Sequence, residues 1–204
     1  MLDSTRPIGK TLNTDLGRPK TTSAGVLSSW YALRATYSRE LKVQAHLAER
    51  GVRTFIPMMW RKRPEQSHAR ADRASDKTLV PAVSNLVFVY WTKEDIDAYI
   101  HSFGDTRPVN YYWDRTTNSP LTISDKDMEN FISVASTMDE DLIYLTEISD
   151  KLREGHPVKV KEGPFKGVEG KIVRIRKSRR ILVELPGMLA VASTYVSPEH
   201  IELI

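Results

Sequence analysis

The chain of 204 residues contains no cysteine. That excludes disulfides, cysteine-ligated zinc and thiol nucleophiles, and it points to a reducing compartment. No apolar run approaches the roughly 18 consecutive residues that a membrane-spanning helix needs. The first residues also lack the apolar stretch of a cleaved secretory signal. The expectation is a cytoplasmic protein with no membrane contact. Neither charge sign dominates: 30 basic and 26 acidic residues leave a net charge of +4. What matters is where the charges gather.

Catalytic motifs are absent too. His46, His68, His101, His156 and His200 are scattered, and no pair has helical metal-ligand spacing. Asp139-Glu140-Asp141 reads as solvated chain, because adjacent carboxylates do not converge on one point without a supporting fold. Gly163, Gly167 and Gly170 have neither the spacing nor the strand–turn–helix setting of a nucleotide loop. No G-x-S-x-G occurs. The expectation is a protein that is not an enzyme and holds no metal or cofactor.

What is present divides the chain into four. Residues 1–28 carry few large apolar side chains and read as a disordered tail. Residues 29–136 alternate strand and helix patterns. Trp30 to Ala35 reads as a strand, and Ser38 is placed to cap a helix running to Gly51. Val52 to Pro57 reads as a second strand and Asn85 to Trp91 as a third. Thr92 with Asp95 opens a helix whose Ile96, Tyr99, Ile100 and Phe103 recur at helical spacing. Pro108 to Trp113 reads as a fourth strand. Ser124 with Asp127 opens a last helix, with Met128, Phe131, Ile132 and Ala135 as its buried face. Two strand–helix–strand halves in one sheet describe an α+β, ferredoxin-like split βαβ sandwich. Residues 137–154 are acidic and read as a linker. Residues 155–204 hold short alternating strands punctuated by Gly and Pro, the pattern of a small β-barrel closed by Val196, Ile201 and Leu203.

Gly155-His156-Pro157-Val158-Lys159-Val160, followed by Gly163-Pro164-Phe165-Lys166-Gly167-Val168-Glu169-Gly170-Lys171-Ile172-Val173, resembles the KOW motif, and Gly170 matches the glycine that motif is built around. Trp30-Tyr31, Phe55-Ile56-Pro57 and Leu121-Thr122-Ile123-Ser124-Asp125-Lys126-Asp127 resemble the N-terminal domain of the NusG family of transcription elongation factors. Within that family the chain resembles the UpxY-like antiterminators of surface-polysaccharide operons. The resemblance implies an N-terminal NGN domain, an SH3-like KOW barrel and a polymerase-facing apolar patch. Here that patch is Leu79, Val80, Pro81 and Val83, with Phe55, although the family's aromatic "F-F-P-G-Y" has become Leu79-Val80-Pro81-Ala82-Val83. The family's "I-F-G-R" loop, which contacts a ribosomal protein and Rho, is here Leu185-Pro186-Gly187-Met188, without its aromatic and arginine.

The remaining signals are basic. Lys171, Arg174, Arg176, Lys177, Arg179 and Arg180 fall together with no acid among them. They read either as a solvated turn or as contacts to the phosphates of nascent or ribosomal RNA. Arg61, Lys62 and Arg63, with Arg70 and Arg73, read as part of a long loop or hairpin tip able to reach the upstream duplex or the displaced DNA strand. Arg34, Tyr37 and Arg39 sit at a strand-to-helix junction where a single strand could stack on Tyr37. The expected partners are RNA polymerase at its clamp, the non-template DNA strand or nascent RNA, and the ribosome. The protein is expected to act as a monomer. A general NusG and a ribosome-associated KOW protein are the rival readings.

Overall fold

The computed structural model describes residues 27–62, 77–149, 152 and 154–204. Most of the expected tail, together with Arg63, Arg70 and Arg73, lies outside the described residues.

The first sheet is built from β1 (Ser29–Ala35), β2 (Arg53–Phe55), β5 (Leu86–Trp91) and β6 (Val109–Tyr111). Helix α1 (Glu40–Ala48) joins the first two strands, and α2 (Lys93–His101) joins the last two. The strands lie in the order β2-β5-β1-β6 with antiparallel neighbours. Each βαβ half is therefore split by a strand of the other, the order expected for a split βαβ sandwich. Between the halves, β3 (Met58–Lys62) and β4 (Lys77–Pro81) form a separate antiparallel ribbon. A small hairpin, β7 (Trp113–Asp114) with β8 (Ser119–Pro120), precedes β9 (Thr122–Ile123), which pairs with β1.

Side-chain alternation gives the sheet two apolar faces. Leu33, Val87, Val89 and Val109 pack on Val43 and Leu47 of α1 and on Ile96, Tyr99 and Ile100 of α2. Trp30, Ala32, Leu86 and Phe88 face the other way, onto α3 (Asp125–Ala135). Helices α2 and α3 begin as expected. The Thr92 hydroxyl accepts from the Asp95 N–H at 3.2 Å, and the Ser124 hydroxyl accepts from the Asp127 N–H at 3.1 Å. Each satisfies one orphan donor of a first turn.

Helix α1 departs from expectation. Ser38 is not its cap. It has φ +51°, and Arg39 occupies the cap position with no side-chain hydrogen bond. The reason is long-range: Glu40 is buried and accepts the Asn85 N–H, while Asn85 Oδ1 accepts the Ser38 N–H at 3.3 Å. The buried residues of α3 are Met128, Phe131, Val134 and Ala135, with Ile132 only half-buried. Val134 is covered because α3 has a second sheet on its outer side.

That second sheet is antiparallel and six-stranded: β10 (Ile143–Leu145), β11 (His156–Val160), β12 (Glu169–Ile175), β13 (Ser178–Leu185), β14 (Leu189–Tyr195) and β15 (Ile201–Leu203). Their order is β10-β14-β13-β12-β11-β15. The acidic stretch 137–154 thus supplies a strand, β10, which pairs with β14. Val158, Val160, Ile181, Val183, Leu185 and Val191 share one core cluster with Trp30, Phe88 and Phe131 of the first sheet and α3. Among the described residues, no helix is long and apolar enough to cross a membrane.

Gly170 shows why its position is glycine. It faces β13, where an added Cβ would lie 2.6 Å from the Leu182 carbonyl oxygen and 2.8 Å from Ile181 Cγ2. Because the first of these is backbone, a strand must shift to make room. Gly170→Ala is expected to lower stability by about 1–3 kcal/mol, the range for overpacking a well-filled interior. Urea unfolding followed by circular dichroism reads this, and an unchanged midpoint would mean that the strands yield freely.

Candidate functional site

The residues expected to form an apolar docking patch are divided between two settings. Leu79, Val80 and Pro81 lie on β4, half-buried, opposite Trp60, Met59 and Met58 of β3. Phe55 ends β2, and its ring meets that of Phe131 edge-on at 6.2 Å. Phe55 and Val83 both pack against the core cluster between the two sheets.

The stretch from Met138 to Tyr144 fastens this region. Trp60 Nε1 donates to the Met138 carbonyl at 2.9 Å, the Tyr144 hydroxyl donates to the Met58 carbonyl at 3.2 Å, and Lys77 pairs with Glu140. The Tyr144 ring lies 6.5 Å from that of Phe131. Burial pushes the Tyr144 hydroxyl pKa upward, so it remains a donor throughout the physiological range. Sequence reasoning missed Tyr144, Trp60 and Met58. The triplet Ile143-Tyr144-Leu145 was the available signal, and its acidic flanks masked it.

At the β1–α1 junction Tyr37 is 82% exposed with φ +61°. A bulky residue in left-handed backbone is uncommon and is held there by its surroundings. Here the Glu40–Asn85–Ser38 hydrogen bonds do the holding, and Asn85 itself has φ +62°. The Arg39 guanidinium lies 5.5 Å from the Tyr37 ring centre. Arg34 is exposed near the end of β1. The junction therefore brings Tyr37 and Arg39 into contact, with Arg34 close by in sequence. Arg61 and Lys62 are exposed at the end of β3, and Arg63 lies outside the described residues.

The basic cluster of the second sheet separates into two groups. Arg174, Arg176, Lys177 and Arg179 are exposed on the β12–β13 hairpin. Lys171 pairs with Glu184 at 3.3 Å. Arg180 is committed elsewhere. Its guanidinium donates to the Ser193 and Asp141 carbonyls, both at 2.7 Å, and its Nε is buried without a partner. Arg180 is thus a structural brace rather than an available cation, a fate hidden from sequence because its acceptors are backbone atoms remote along the chain.

A family profile described as "Transcription termination factor nusG" matches residues 28–132, just over half of the chain. The chain belongs to the NusG family. Among solved structures it is similar to one described as "Domain interaction in Thermotoga maritima NusG", at 20% identity, covering 87% of this chain and 97% of that one with a TM-score of 0.43. No curated protein matches. NusG-family proteins are non-enzymatic transcription factors that bind RNA polymerase.

The NusG-matched segment ends within α3, and α3 carries a polar clasp to the second sheet. Lys126 Nζ lies 2.6 Å from a Glu169 carboxylate oxygen, and Lys159 lies 3.4 Å from the other. One turn along α3, Asn130 Oδ1 accepts the Glu169 N–H at 3.0 Å. In the β13–β14 turn Leu185 is buried and Met188 half-buried against the core, while Pro186 and Gly187 are exposed.

The hydrogen bond from Lys126, assisted by Lys159, holds the Glu169 carboxyl below the usual carboxylate range. A depressed carboxylate pKa contributes to the clasped state at neutral pH, and that contribution disappears as pH falls through the folded-state value. Contact between α3 and the second sheet is therefore expected to loosen with acidification below the ordinary glutamate range. The distance between α3 and the second sheet, measured by donor–acceptor labelling across the clasp, would report it. Glu169→Gln should abolish this component. An identical acid response in wild type and Glu169→Gln would remove Glu169 from the account.

Proposed function

We propose that this NusG-family chain is a transcription elongation and antitermination factor. In this reading residues 29–136 form an NGN domain that docks on the RNA polymerase clamp, and residues 155–204 form a KOW domain. The protein works in the cytoplasm as a monomer and promotes readthrough of terminators in a surface-polysaccharide operon, as UpxY-like relatives are expected to do. The observation that carries the docking is the half-buried apolar run Leu79, Val80 and Pro81 on β4, opposite Trp60, Met59 and Met58, within the segment matched to the family. Apolar patches of this kind on small proteins mark partner surfaces.

A factor that binds the closed clamp more tightly than the open one shifts polymerase away from the open, paused state, by no more than its differential affinity for the two. The exposed Arg34, Tyr37 and Arg39, with Arg61 and Lys62, would face the displaced non-template strand, through phosphate pairing and base stacking on Tyr37. Phe55 and Val83 pack against the core cluster that the second sheet shares, so in this reading they meet polymerase once that sheet withdraws. A weakened clasp should therefore expose the dock.

The test is affinity capture of polymerase by the tagged full chain, paired with transcription through a terminator in vitro. Val80→Asp should cut captured polymerase at least about tenfold, equivalent to about 1.4 kcal/mol, and abolish readthrough, whereas Lys126→Ala should raise capture. Capture unaffected by Val80→Asp would put the contact elsewhere. Increased termination on adding the wild-type protein would instead favour a general NusG. Recovery of ribosomes without polymerase would overturn the reading in favour of a ribosomal KOW protein.

A further inference from the structure

The β12–β13 hairpin breaks two local rules at its tip. Its turn residues, Arg176 and Lys177, both have positive φ, 49° and 67°, as in a type I′ turn. Such turns favour Asn-Gly because side chains with a full Cβ fit the left-handed region poorly. One rung below, Arg174 and Arg179 are direct cross-strand partners and both are exposed. Like charges placed opposite each other oppose pairing. Neither choice helps the hairpin fold, and together they place four cations on one projecting ribbon.

The ribbon is firmly based. Ile172 and Ile181 form the next rung on the face of Arg174 and Arg179, and both belong to the core packing. Arg180, on the other face, is tied to the Ser193 and Asp141 carbonyls. The apolar face of the core thus continues outward as a pair of arginines. No described ion pair includes Arg174, Arg176, Lys177 or Arg179. The acidic stretch 137–154 meets the hairpin at the Asp141 carbonyl, through Arg180 on the opposite face.

From this geometry we infer that the Arg174–Arg179 rung and the Arg176-Lys177 turn form a binding site for the phosphodiester backbone of a nucleic acid. The charges extend over about 10 Å of ribbon, at about 3.3 Å per residue, which suits a chain of phosphates better than one small anion. The tip carries no aromatic ring, so the contact reads backbone charge rather than bases. A bound polyanion relieves the opposition of Arg174 and Arg179 and draws the turn cations into pairing. Local rules broken in one place are characteristic of functional sites. The site is separate from the polymerase dock and does not depend on it.

The experiment is a fluorescence-anisotropy titration of the full chain with a labelled single-stranded RNA, and with DNA of the same sequence, over a series of salt concentrations. The diagnostic variant replaces Arg176→Asn and Lys177→Gly together. It supplies the turn with its preferred residues while removing two charges. The expected result is a higher melting temperature, at least about tenfold weaker binding, and a salt slope shallower by about 1.4, from about 0.7 per phosphate contact. Arg174→Ala with Arg179→Ala should weaken binding similarly. Equal effects on RNA and DNA assign the contact to phosphates alone, and an effect confined to RNA adds the ribose hydroxyl to it. Unchanged affinity and slope in both double variants overturn the site. Val80→Asp should keep wild-type nucleic-acid affinity and the hairpin variants should still capture polymerase, so failure of one reading is distinguishable from failure of the other.

Discussion

Phe131 must be kept from water on several sides at once, and much of the architecture follows from how that is done. Its ring meets Phe88 of the first sheet at 5.8 Å, Phe55 at the end of β2 at 6.2 Å, and Tyr144 of β10 at 6.5 Å. Helix α3 buries Met128, Phe131, Val134 and Ala135 along one face, and residues of both sheets share the core cluster that covers it. Fully burying a large apolar side chain is worth about 1.5–3 kcal/mol. With α3 between the sheets, its outer apolar side has two ways to stay dry. Either the second sheet of the same chain covers it, as here, or a partner does.

This explains which features could be read from the sequence. The starts of α2 and α3 were legible because caps are local: Thr92 with Asp95 and Ser124 with Asp127 carry the signal within four residues. The strand at Asn85 to Trp91 was legible because both its faces are buried and the apolar run is unbroken. The glycine at 170 was legible as part of a motif, but its cause, the Leu182 carbonyl across the strand pair, was not. Features with distant causes were misread. Ser38 has the chemistry of a cap, but Glu40 and Asn85 set that turn from elsewhere in the chain. Val134 was passed over because nothing near it announces the second sheet. Arg180 resembles its basic neighbours in sequence and differs from them only in having Ser193 and Asp141 within reach.

The charges divide the same way. Lys77, Lys93, Lys126, Lys159 and Lys171 each have a carboxylate within reach, and several of these pairs tie distant segments together. Arg174, Arg176, Lys177 and Arg179 appear in no described ion pair. Carboxylates occupied in internal pairs cannot offset the projecting cations, so a net charge of only +4 understates the local potential at the hairpin. Four cations outside those pairs gather on this one hairpin, and the two at its turn, Arg176 and Lys177, both have positive φ.

In the proposed docking, polymerase and the second sheet would cover one surface. Phe55 and Val83, expected to face polymerase, are packed against the core cluster to which both sheets contribute. If docking requires the open form, apparent affinity is reduced by the fraction of molecules that are open. The clasp is suited to a small penalty of that kind. Its polar part includes the pairs Lys126 with Glu169 and Lys77 with Glu140, each with a well-exposed partner, and such pairs hold weakly and yield to salt. Its apolar part lies around Phe131, and a docking partner with an apolar surface can replace what the second sheet gives up. Opening then exchanges one cover for another rather than exposing the core to water. A chain with this arrangement can remain closed when alone and still be opened by a partner whose differential affinity exceeds a modest threshold.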